Sequence, residues 1–333
     1  MRGLLAGATL AAFPVAGSAQ TPAKLSIALS SFSIAQALSF IAHDAGFFKK
    51  ENLDVTLVDA RSGAGAIQAA LSGSVELATG ALDSTLNASA QGKLVYVPLR
   101  LYSGQPGYLV LTKKFASSTK VDPGAPIAVR LKALKGATVA SPSQSSTFTT
   151  MVKQAAASAS VPVTMTYIAS DSMVAALTTG NVDGVIVSSP FAERAVLQGA
   201  GVVWVDGPKG EFPGTEADDF VVPLSVPAPY YAANRDIVER VIRAYIAASE
   251  FVKSNPQAAA KSIRHRFAGL DDALFNQVWE GNLPAWTNVV PSVAALRRTQ
   301  MQATGNFATQ IKALDPDSML LADVVKKVQA SMR

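Results

Sequence analysis

Cysteine is absent from all 333 residues of the sequence. Disulfide bonds, thiolate metal ligands and cysteine nucleophiles are therefore excluded. Histidine is scarce: His43 stands beside Asp44, and His265 lies in a basic run, and neither context is typical of acid–base catalysis. No Gly-x-Ser-x-Gly elbow follows a predicted strand, and no phosphate-binding glycine loop is present. We therefore expect a protein that is not an enzyme and that has no catalytic residue, metal or cofactor.

Charged residues are also few, at 16% of the chain against a usual ~25%. The net charge of +5 is spread along the chain and forms no basic stripe with interleaved aromatic residues, so we expect no nucleic-acid partner. No apolar run reaches the ~20 residues of a membrane-spanning helix. Residues 1–19 nevertheless have the pattern of an export signal, with Arg2, an apolar segment to Val15 and small residues up to Ala19. We expect cleavage after Ala19 and a soluble periplasmic protein that carries no lipid anchor.

A short pattern occurs twice in the chain. Residues 69–76 read Ala-Ala-Leu-Ser-Gly-Ser-Val-Glu, and residues 175–183 read Ala-Ala-Leu-Thr-Thr-Gly-Asn-Val-Asp. Each copy is typical of the end of an amphipathic helix that stops at glycine, and each is followed by a buried strand and a polar turn. Two such units predict two α/β lobes of similar design, with a cleft between them that closes on a small molecule.

The order of predicted strands, helices and loop-like segments divides the chain into these two lobes. Strands alternate with helices, which is typical of a mainly parallel sheet, and after Asn234 the chain is nearly all helical. The loop-like composition of Lys113 to Pro126 and the proline-marked stretch Phe220 to Pro229 are predicted to be the two crossovers. The predicted fold is α/β with a helical C-terminal tail; lobe 1 comprises 24–112 and 228–333, and the inserted lobe 2 comprises 113–227.

The candidate site residues lie in six polar turns where a strand ends and a helix begins. A helix N-terminus leaves unpaired backbone N–H groups that bind anions without arginine, and open α/β sheets bind ligands beyond the carboxyl ends of their strands. The candidate turns are Ser30 to Ser33, Ser62 to Gly65, Leu82 to Ser84, Ser143 to Thr147, Asp171-Ser172 and Ser188 to Phe191. The predicted ligand-binding residues are Ser31, Phe32, Ser62, Gly63, Ala64, Leu82, Asp83, Ser143, Gln144, Ser145, Ser146, Thr147, Ser188, Ser189 and Phe191.

Two of these turns, Ser145-Ser146-Thr147 and Ser62-Gly63-Ala64, are the predicted main donors to an anionic group of the ligand. Asp83 has the opposite charge preference, because a carboxylate in the cleft would repel an anion or pair with the ammonium group of a zwitterion. We expect Asp83 to cap its own helix instead, as aspartate does at many helix N-termini.

The segment Asp44 to Val55, Asp-Ala-Gly-Phe-Phe-Lys-Lys-Glu-Asn-Leu-Asp-Val, resembles the hallmark "G-F-F-x-x-E-G-L-D-V" of a known family. Matching segments follow in order at Ser62-Gly63-Ala64, 70–77, 134–139 and 176–187. The family is that of the substrate-binding proteins of ABC importers in the nitrate/sulfonate/taurine/thiamine-precursor group. The resemblance covers about Leu25 to Val205 and implies a two-lobe periplasmic-binding-protein fold of type II with two crossovers.

The resemblance also implies a function. We expect a monomer that binds a small organic anion or zwitterion, such as a sulfonate or carboxylate, and delivers it to an ABC permease and its ATPase. Many members carry Trp-Glu-Pro where this chain has Ser188-Ser189-Pro190, and small hydroxyls there suit a bulkier or more anionic ligand. Two alternatives stay open: a ligand-sensing protein without a transporter, and an enzyme similar to pyrimidine-precursor synthases, although those use a cysteine-rich segment and a histidine.

Overall fold

The computed structural model describes residues 21–216, 218–303 and 305–332, so the predicted export signal lies outside the described residues. The strands in this part of the chain form two sheets of five strands each. The strands are β1 (Ala23–Leu29), β2 (Leu53–Asp59), β3 (Leu77–Thr79), β4 (Val95–Ser103), β5 (Tyr108–Thr112), β6 (Thr138–Ser141), β7 (Thr164–Tyr167), β8 (Gly184–Val187), β9 (Gly201–Asp206) and β10 (Phe220–Pro227).

Helices cover both sheets, and short 3-10 turns are found at Ile34–Gln36, Ser170–Ser172, Arg264–Phe267 and Leu283–Trp286. The α-helices are α1 (Ala37–Asp44), α2 (Phe47–Lys50), α3 (Gly63–Leu71), α4 (Leu82–Ala90), α5 (Lys113–Thr119), α6 (Ile127–Lys132), α7 (Thr147–Ser158), α8 (Met173–Thr178), α9 (Phe191–Leu197), α10 (Ala228–Ala233), α11 (Arg235–Ser254), α12 (Pro256–Ile263), α13 (Asp272–Asn282), α14 (Val293–Met301), α15 (Ala308–Ala313), α16 (Pro316–Leu320) and α17 (Ala322–Ser331).

The two sheets have the same design. The first has the order β2-β1-β3-β10-β4 and the second has the order β7-β6-β8-β5-β9. In each sheet the first three strands in this order are parallel, and the fourth strand, β10 or β5, is antiparallel to the third. The repeated sequence pattern precedes β3 in one sheet and β8 in the other, and these strands hold the same third position. The prediction of two lobes of similar design is therefore confirmed.

The observed crossovers differ from the predicted ones. Strand β5 pairs with β8 and β9, so residues 108–112 belong to lobe 2 and the first crossover is 104–107. Residues 113–119 form α5 rather than a loop, because Thr112 Oγ1 caps the helix by accepting from Phe115 N at 3.1 Å. The sequence signal for this crossover is the turn composition Gly104-Gln105-Pro106-Gly107.

The return crossover is also displaced. Strand β10, predicted to be part of that crossover, pairs with β3 and β4 and is therefore a strand of lobe 1. The chain returns through residues 207–219, and the two crossovers touch where Gly207 N donates to Gly107 O at 2.9 Å. A Cβ at Gly207 would lie 2.3 Å from that carbonyl oxygen, so only glycine allows this approach. The prolines of this segment predicted a connection, because proline is not expected in a central strand of a sheet. Pro223 nevertheless lies within β10.

The C-terminal helices pack on lobe 1 and complete its core. Trp279 and Trp286 stack with ring centroids 4.8 Å apart, and Trp286 meets Tyr102 of β4 edge to face. Both indoles are buried in the same hydrophobic cluster as β1 and α11, so they are core residues. Within the described residues, no helix combines the length and the hydropathy that crossing a bilayer requires.

Candidate ligand-binding site

A small cavity lies between the two lobes. Four of the six predicted turns meet in this cavity, although they are far apart along the chain. The predicted residues that line it are Ser31, Gly63, Ser146, Thr147 and Ser188. Because the turns come from the carboxyl ends of strands in both sheets, the two lobes face each other across this space.

The lobe 1 side of the cavity depends on close backbone packing. A Cβ at Gly63 would lie 2.4 Å from the Cβ of Ala81, and a Cβ at Gly80 would lie 2.7 Å from the Cβ of Ser30. Gly80 also has a φ of 157°. These two glycines allow the start of α3 and the end of β3 to approach the β1 turn, which forms the wall of the cavity.

A hydrogen-bond network orients the serine-rich turn that follows β1. Thr79 Oγ1 donates to Gln36 Oε1 at 2.7 Å, and Gln36 Nε2 donates to Ser30 Oγ at 3.0 Å. Ser31 Oγ donates to Ser33 Oγ at 3.0 Å. The hydroxyl groups of this turn are therefore held in place by groups of lobe 1 before any ligand contacts them.

The lobe 2 side of the cavity contains the N-terminus of α7. Ser146 is the N-cap residue, and its Oγ accepts from Phe148 N at 3.2 Å. Thr147 is the first helical residue and is only 8% exposed. Its Oγ1 is buried and has no hydrogen-bond partner among the described residues. A buried hydroxyl without a partner is rare in folded proteins, because the desolvated group costs free energy until something pairs with it.

The cavity wall carries no net charge. Among the described residues, its lining consists of serine, threonine, glycine, alanine, proline, phenylalanine and valine, without a charged side chain. Arg100 donates instead to the carbonyl oxygens of Asn288 and Asp218, and Arg61 lies on the surface 3.6 Å from Asp171. Any anion in the cavity must therefore be stabilised by hydroxyl groups, backbone N–H groups and the helix dipole.

Other predicted site residues lie outside the cavity. Ala64, Asp83, Ser143, Gln144 and Ser145 line a larger open groove beside it. Four other predicted residues make contacts within their own lobe. Ser62 Oγ caps α3 by accepting from Gly65 N at 3.0 Å. Leu82 and Phe191 are core side chains, and Phe32 packs edge to face on Phe40.

The expectation that Asp83 caps its own helix is wrong. The N-cap position of α4 is Ala81, and the carboxylate of Asp83 accepts a hydrogen bond from Thr150 Oγ1 of lobe 2 at 2.5 Å. Burial raises the pKa of Asp83 to about 6, although the bond from Thr150 acts in the opposite direction. The first turn of a helix favours aspartate, but sequence spacing does not show that another lobe lies within hydrogen-bond distance.

Further contacts hold the lobes against each other. Ser84 Oγ donates to Ser145 O at 2.8 Å, and Ile34 N donates to Ser189 O at 2.7 Å. Each bond joins a polar turn of lobe 1 to a polar turn of lobe 2. The two lobes are therefore in direct hydrogen-bond contact beside the cavity.

Ser189 connects the cavity wall to a buried carboxylate. Its Oγ donates to Glu193 Oε1 at 2.6 Å, and burial raises the pKa of Glu193 above its usual range. The other carboxylate oxygen of Glu193 is buried without a partner among the described residues. An acidic group is therefore present near Ser188-Ser189-Pro190, where the sequence pattern indicated that one was missing, but it lies one helical turn later.

Several lining residues were not predicted from the sequence. Pro142 and Ser170 each lie one residue before a candidate turn, so the turn signal could have included them. Val221 and Val222 come from β10, and only the pairing of that strand with lobe 1 brings them here. The unpredicted lining residues are Ser30, Ser33, Ala35, Gly80, Ala81, Pro106, Pro142, Phe148, Ser170, Val221 and Val222.

The histidines lie away from the cavity, at the far end of α1. His43 Nδ1 is 2.7 Å from Asp44 Oδ1, and His265 Nε2 is 3.6 Å from Asp44 Oδ2. Arg266 donates to the same carboxylate. This cluster joins α1 to the C-terminal helices.

Sequence comparison matches the chain to the NMT1-like family over residues 18–265. The chain belongs to this family. The match includes the hallmark-like segment 44–55, all of lobe 2 and lobe 1 up to residue 265, so the resemblance drawn from that segment is confirmed. A comparison with curated proteins finds no match.

Solved structures share the fold of this NMT1-like protein at low sequence identity. A protein from Bordetella bronchiseptica RB50 matches with a TM-score of 0.75 and 21% identity, covering 94% of this chain and 98% of that one. The nitrate-binding protein NrtA from Synechocystis PCC 6803 matches with a TM-score of 0.71 and 14% identity, covering 94% and 89%. The alkanesulfonate-binding protein SsuA from Xanthomonas axonopodis pv. citri, bound to MOPS, matches with a TM-score of 0.68 and 17% identity, covering 92% and 99%. The fold is therefore the two-lobe periplasmic-binding-protein fold.

Proposed function

We propose that this NMT1-like protein is the solute-binding component of an ABC importer. It is exported to the periplasm as a monomer without a lipid anchor, binds a small organic anion or zwitterion between its lobes, and delivers it unchanged to a permease and its ATPase. The family, the fold and the binding proteins that share that fold support this role.

The observation that carries the proposal is the buried Thr147 hydroxyl at the N-terminus of α7. Thr147 lines the cavity between the lobes, and its buried Oγ1 has no hydrogen-bond partner among the described residues. The N-terminus of this 12-residue helix supplies a partial positive charge at the same place. A carboxylate or sulfonate oxygen would accept from the hydroxyl, while the serines and Gly63 of lobe 1 would enclose the rest of the ligand.

The ligand class is tested with a panel of small carboxylates, alkanesulfonates, aminosulfonates and nitrate, using thermal shift and calorimetry. We expect at least one anion to bind with a micromolar Kd, corresponding to about 8 kcal/mol. Mass spectrometry of the released ligand checks that it is unaltered. Recovery of a modified compound would favour the enzyme alternative, and failure of every anion to bind would contradict the assigned ligand class.

A charge reversal at the helix N-terminus gives the sharper test. Ser146→Asp should abolish anion binding, because it places a carboxylate beside the position proposed for the anion. Aspartate caps helices as well as serine does, so α7 should remain folded. Ser146→Asn is the matched control, since it has the same shape and no charge, and it should bind within about tenfold of the unmodified protein. Equal binding by the two variants would show that no anion lies there.

A further inference from the structure

A second, smaller cavity adjoins the one between the lobes. Thr147 of α7 and Val221 of β10 line both cavities, and the other walls of the second cavity come from α4, α14 and the two crossovers. Gln105, in the first crossover, lines the second cavity, and its neighbour Pro106 lines the first. A ligand group bound at the N-terminus of α7 would therefore have the second cavity directly beside it.

Gln105 brings an unpaired hydrogen-bond acceptor to this second cavity. The side chain is only 8% exposed, and its Oε1 is buried without a hydrogen-bond partner among the described residues. The Thr147 hydroxyl is also buried and unpaired in the described part of the chain. A desolvated polar group costs free energy until something pairs with it. Two such groups beside one space indicate that the space receives a polar group.

The charged groups that line the second cavity are acidic. Its lining contains the carboxylates of Asp83 and Asp219 and, within the described residues, no lysine, arginine or histidine. Asp219 is neutralised by Arg298, 2.9 Å away. Asp83 accepts from Thr150 Oγ1 and forms no ion pair within the described ranges. One unneutralised carboxylate and one unpaired amide oxygen are both acceptors, so they suit a cation that donates hydrogen bonds, such as an ammonium group.

Thr147 limits the distance between the two charges of such a ligand. Its hydroxyl has one hydrogen to donate and lone pairs that accept. Because its side chain lines both cavities, it can donate to an anion in the first and accept from an ammonium in the second. Each hydrogen bond is about 3 Å long, so the anionic oxygen and the nitrogen lie at most about 6 Å apart. A chain of about one to three carbons between amine and acid fits this limit.

We propose that the second cavity is a subsite for a primary ammonium group, and that the ligand is a short zwitterion with a carboxylate or sulfonate at its other end. The inference rests on the proposed function, since it requires the anion to lie at the N-terminus of α7. Gln105 Oε1 and the Asp83 carboxylate accept from the ammonium, and Thr147 contacts both ends of the ligand. Gln105 is then a specificity-determining residue on a crossover between the lobes.

Calorimetry at neutral pH with matched compounds tests the subsite. β-Alanine is compared with propionate, and taurine with ethanesulfonate, since the members of each pair differ only in the amine. We expect at least one aminated compound to bind about tenfold or more tightly than its partner, because without the amine the acceptors stay unpaired. The longer ε-aminocaproate, whose charges are too far apart, should gain nothing over caproate.

Variants of Gln105 test which group accepts from the amine. Gln105→Met keeps the length of the side chain but removes the amide oxygen, so it should lower the ratio of the two affinities in a pair about tenfold. Gln105→Glu keeps an acceptor and adds a negative charge, and it should preserve or increase that ratio. Gln198→Met, at an exposed glutamine that ends α9, is the control and should leave the ratio unchanged.

Thermal melting of each variant checks that it is folded. Gln105→Met should melt at the same temperature as the unmodified protein or above it, because the change removes a buried group without a partner. Binding of the acids without a gain from the amine would overturn the subsite and leave the proposed function standing. An amine preference that is unchanged in Gln105→Met would overturn it as well. Failure of every compound to bind would contradict both proposals.

Discussion

At the scale of single residues, Thr147 gives the most direct test of whether the cavity is a binding site. A Thr147→Val variant removes a buried hydroxyl that has no partner in the described protein, so its stability should be equal or slightly higher. The same change removes a donor to the ligand, and the affinity should fall about tenfold. Calorimetry with the best-bound anion and thermal melting of the free protein measure the two effects.

The opposite signs of these effects distinguish a binding role from a packing role. Thr164→Val, on the exposed edge strand β7, is the control and should change neither affinity nor melting temperature by a measurable amount. If Thr147→Val bound the anion as tightly as the unmodified protein does, the hydroxyl would have no part in recognition.

The carboxylate of Asp44 is expected to make the free energy of unfolding depend on pH. Burial alone would raise the pKa of its carboxyl, but hydrogen bonds from Arg266 and His43 outweigh it and lower the pKa to about 2. The group is therefore more acidic in the folded than in the unfolded chain. Its contribution of about 2 kcal/mol is present above the unfolded pKa and is lost as the pH falls through the folded pKa.

Urea unfolding at pH 6 and pH 2.5 tests this contribution. Asp44→Asn should be less stable than the unmodified protein at pH 6, and the difference should shrink at pH 2.5. The exposed Asp54→Asn variant serves as the control and should show no such difference. A constant gap at both pH values would mean that Asp44 acts through packing and not through its charge.

At the scale of elements, the start of α3 shows how close packing limits the sequence. Alanine normally stabilises a helix relative to glycine by roughly 0.5–1 kcal/mol. At Gly63, however, the new Cβ would lie 2.4 Å from the Cβ of Ala81, so Gly63→Ala should destabilise lobe 1 and distort the cavity wall.

Gly281 in α13 is the matched position, because a Cβ there meets nothing within 4 Å. Gly281→Ala should therefore show the ordinary gain in stability, by thermal melting, without a change in ligand affinity. The prediction for Gly63 fails if both alanine variants are stabilised to the same extent.

Individual elements also show where sequence reasoning succeeded. The helical stripe of α11 and the caps of α3 and α7 follow from local periodicity and side-chain chemistry, and all are observed. Strand β5 was assigned to the wrong lobe, because a buried apolar strand has the same pattern in either sheet. The pairing partner of a strand depends on contacts that are distant along the chain.

At the scale of the whole molecule, closure should change the dimensions of the particle. The lobes are joined by the crossovers 104–107 and 207–219, so hinge motion about these segments would open the cleft. Small-angle scattering should show a smaller radius of gyration when a saturating anion from the panel is added. Ser146→Asp with the same anion should show no contraction, and identical scattering of the unmodified protein with and without a bound anion would contradict closure.

The sequence by itself determined the class of fold, the two similar lobes and the helical C-terminal tail. These features depend on periodicity, glycine stops and a repeated unit, all of which are local properties of the chain. It also located four of the turns that meet in the cavity, since turns at the ends of strands occupy the same edge of a sheet.

Tertiary structure decided which of these turns meet and what each side chain contacts. Asp83 pairs with Thr150 and not with its own helix, Val221 reaches the cavity through β10, and Glu193 supplies the carboxylate near Ser189. The contact between Asp83 and Thr150 crosses between the lobes, and Val221 depends on the pairing of β10 with lobe 1. Their distances and burial depend on how the two lobes are placed against each other, which spacing along one chain does not encode.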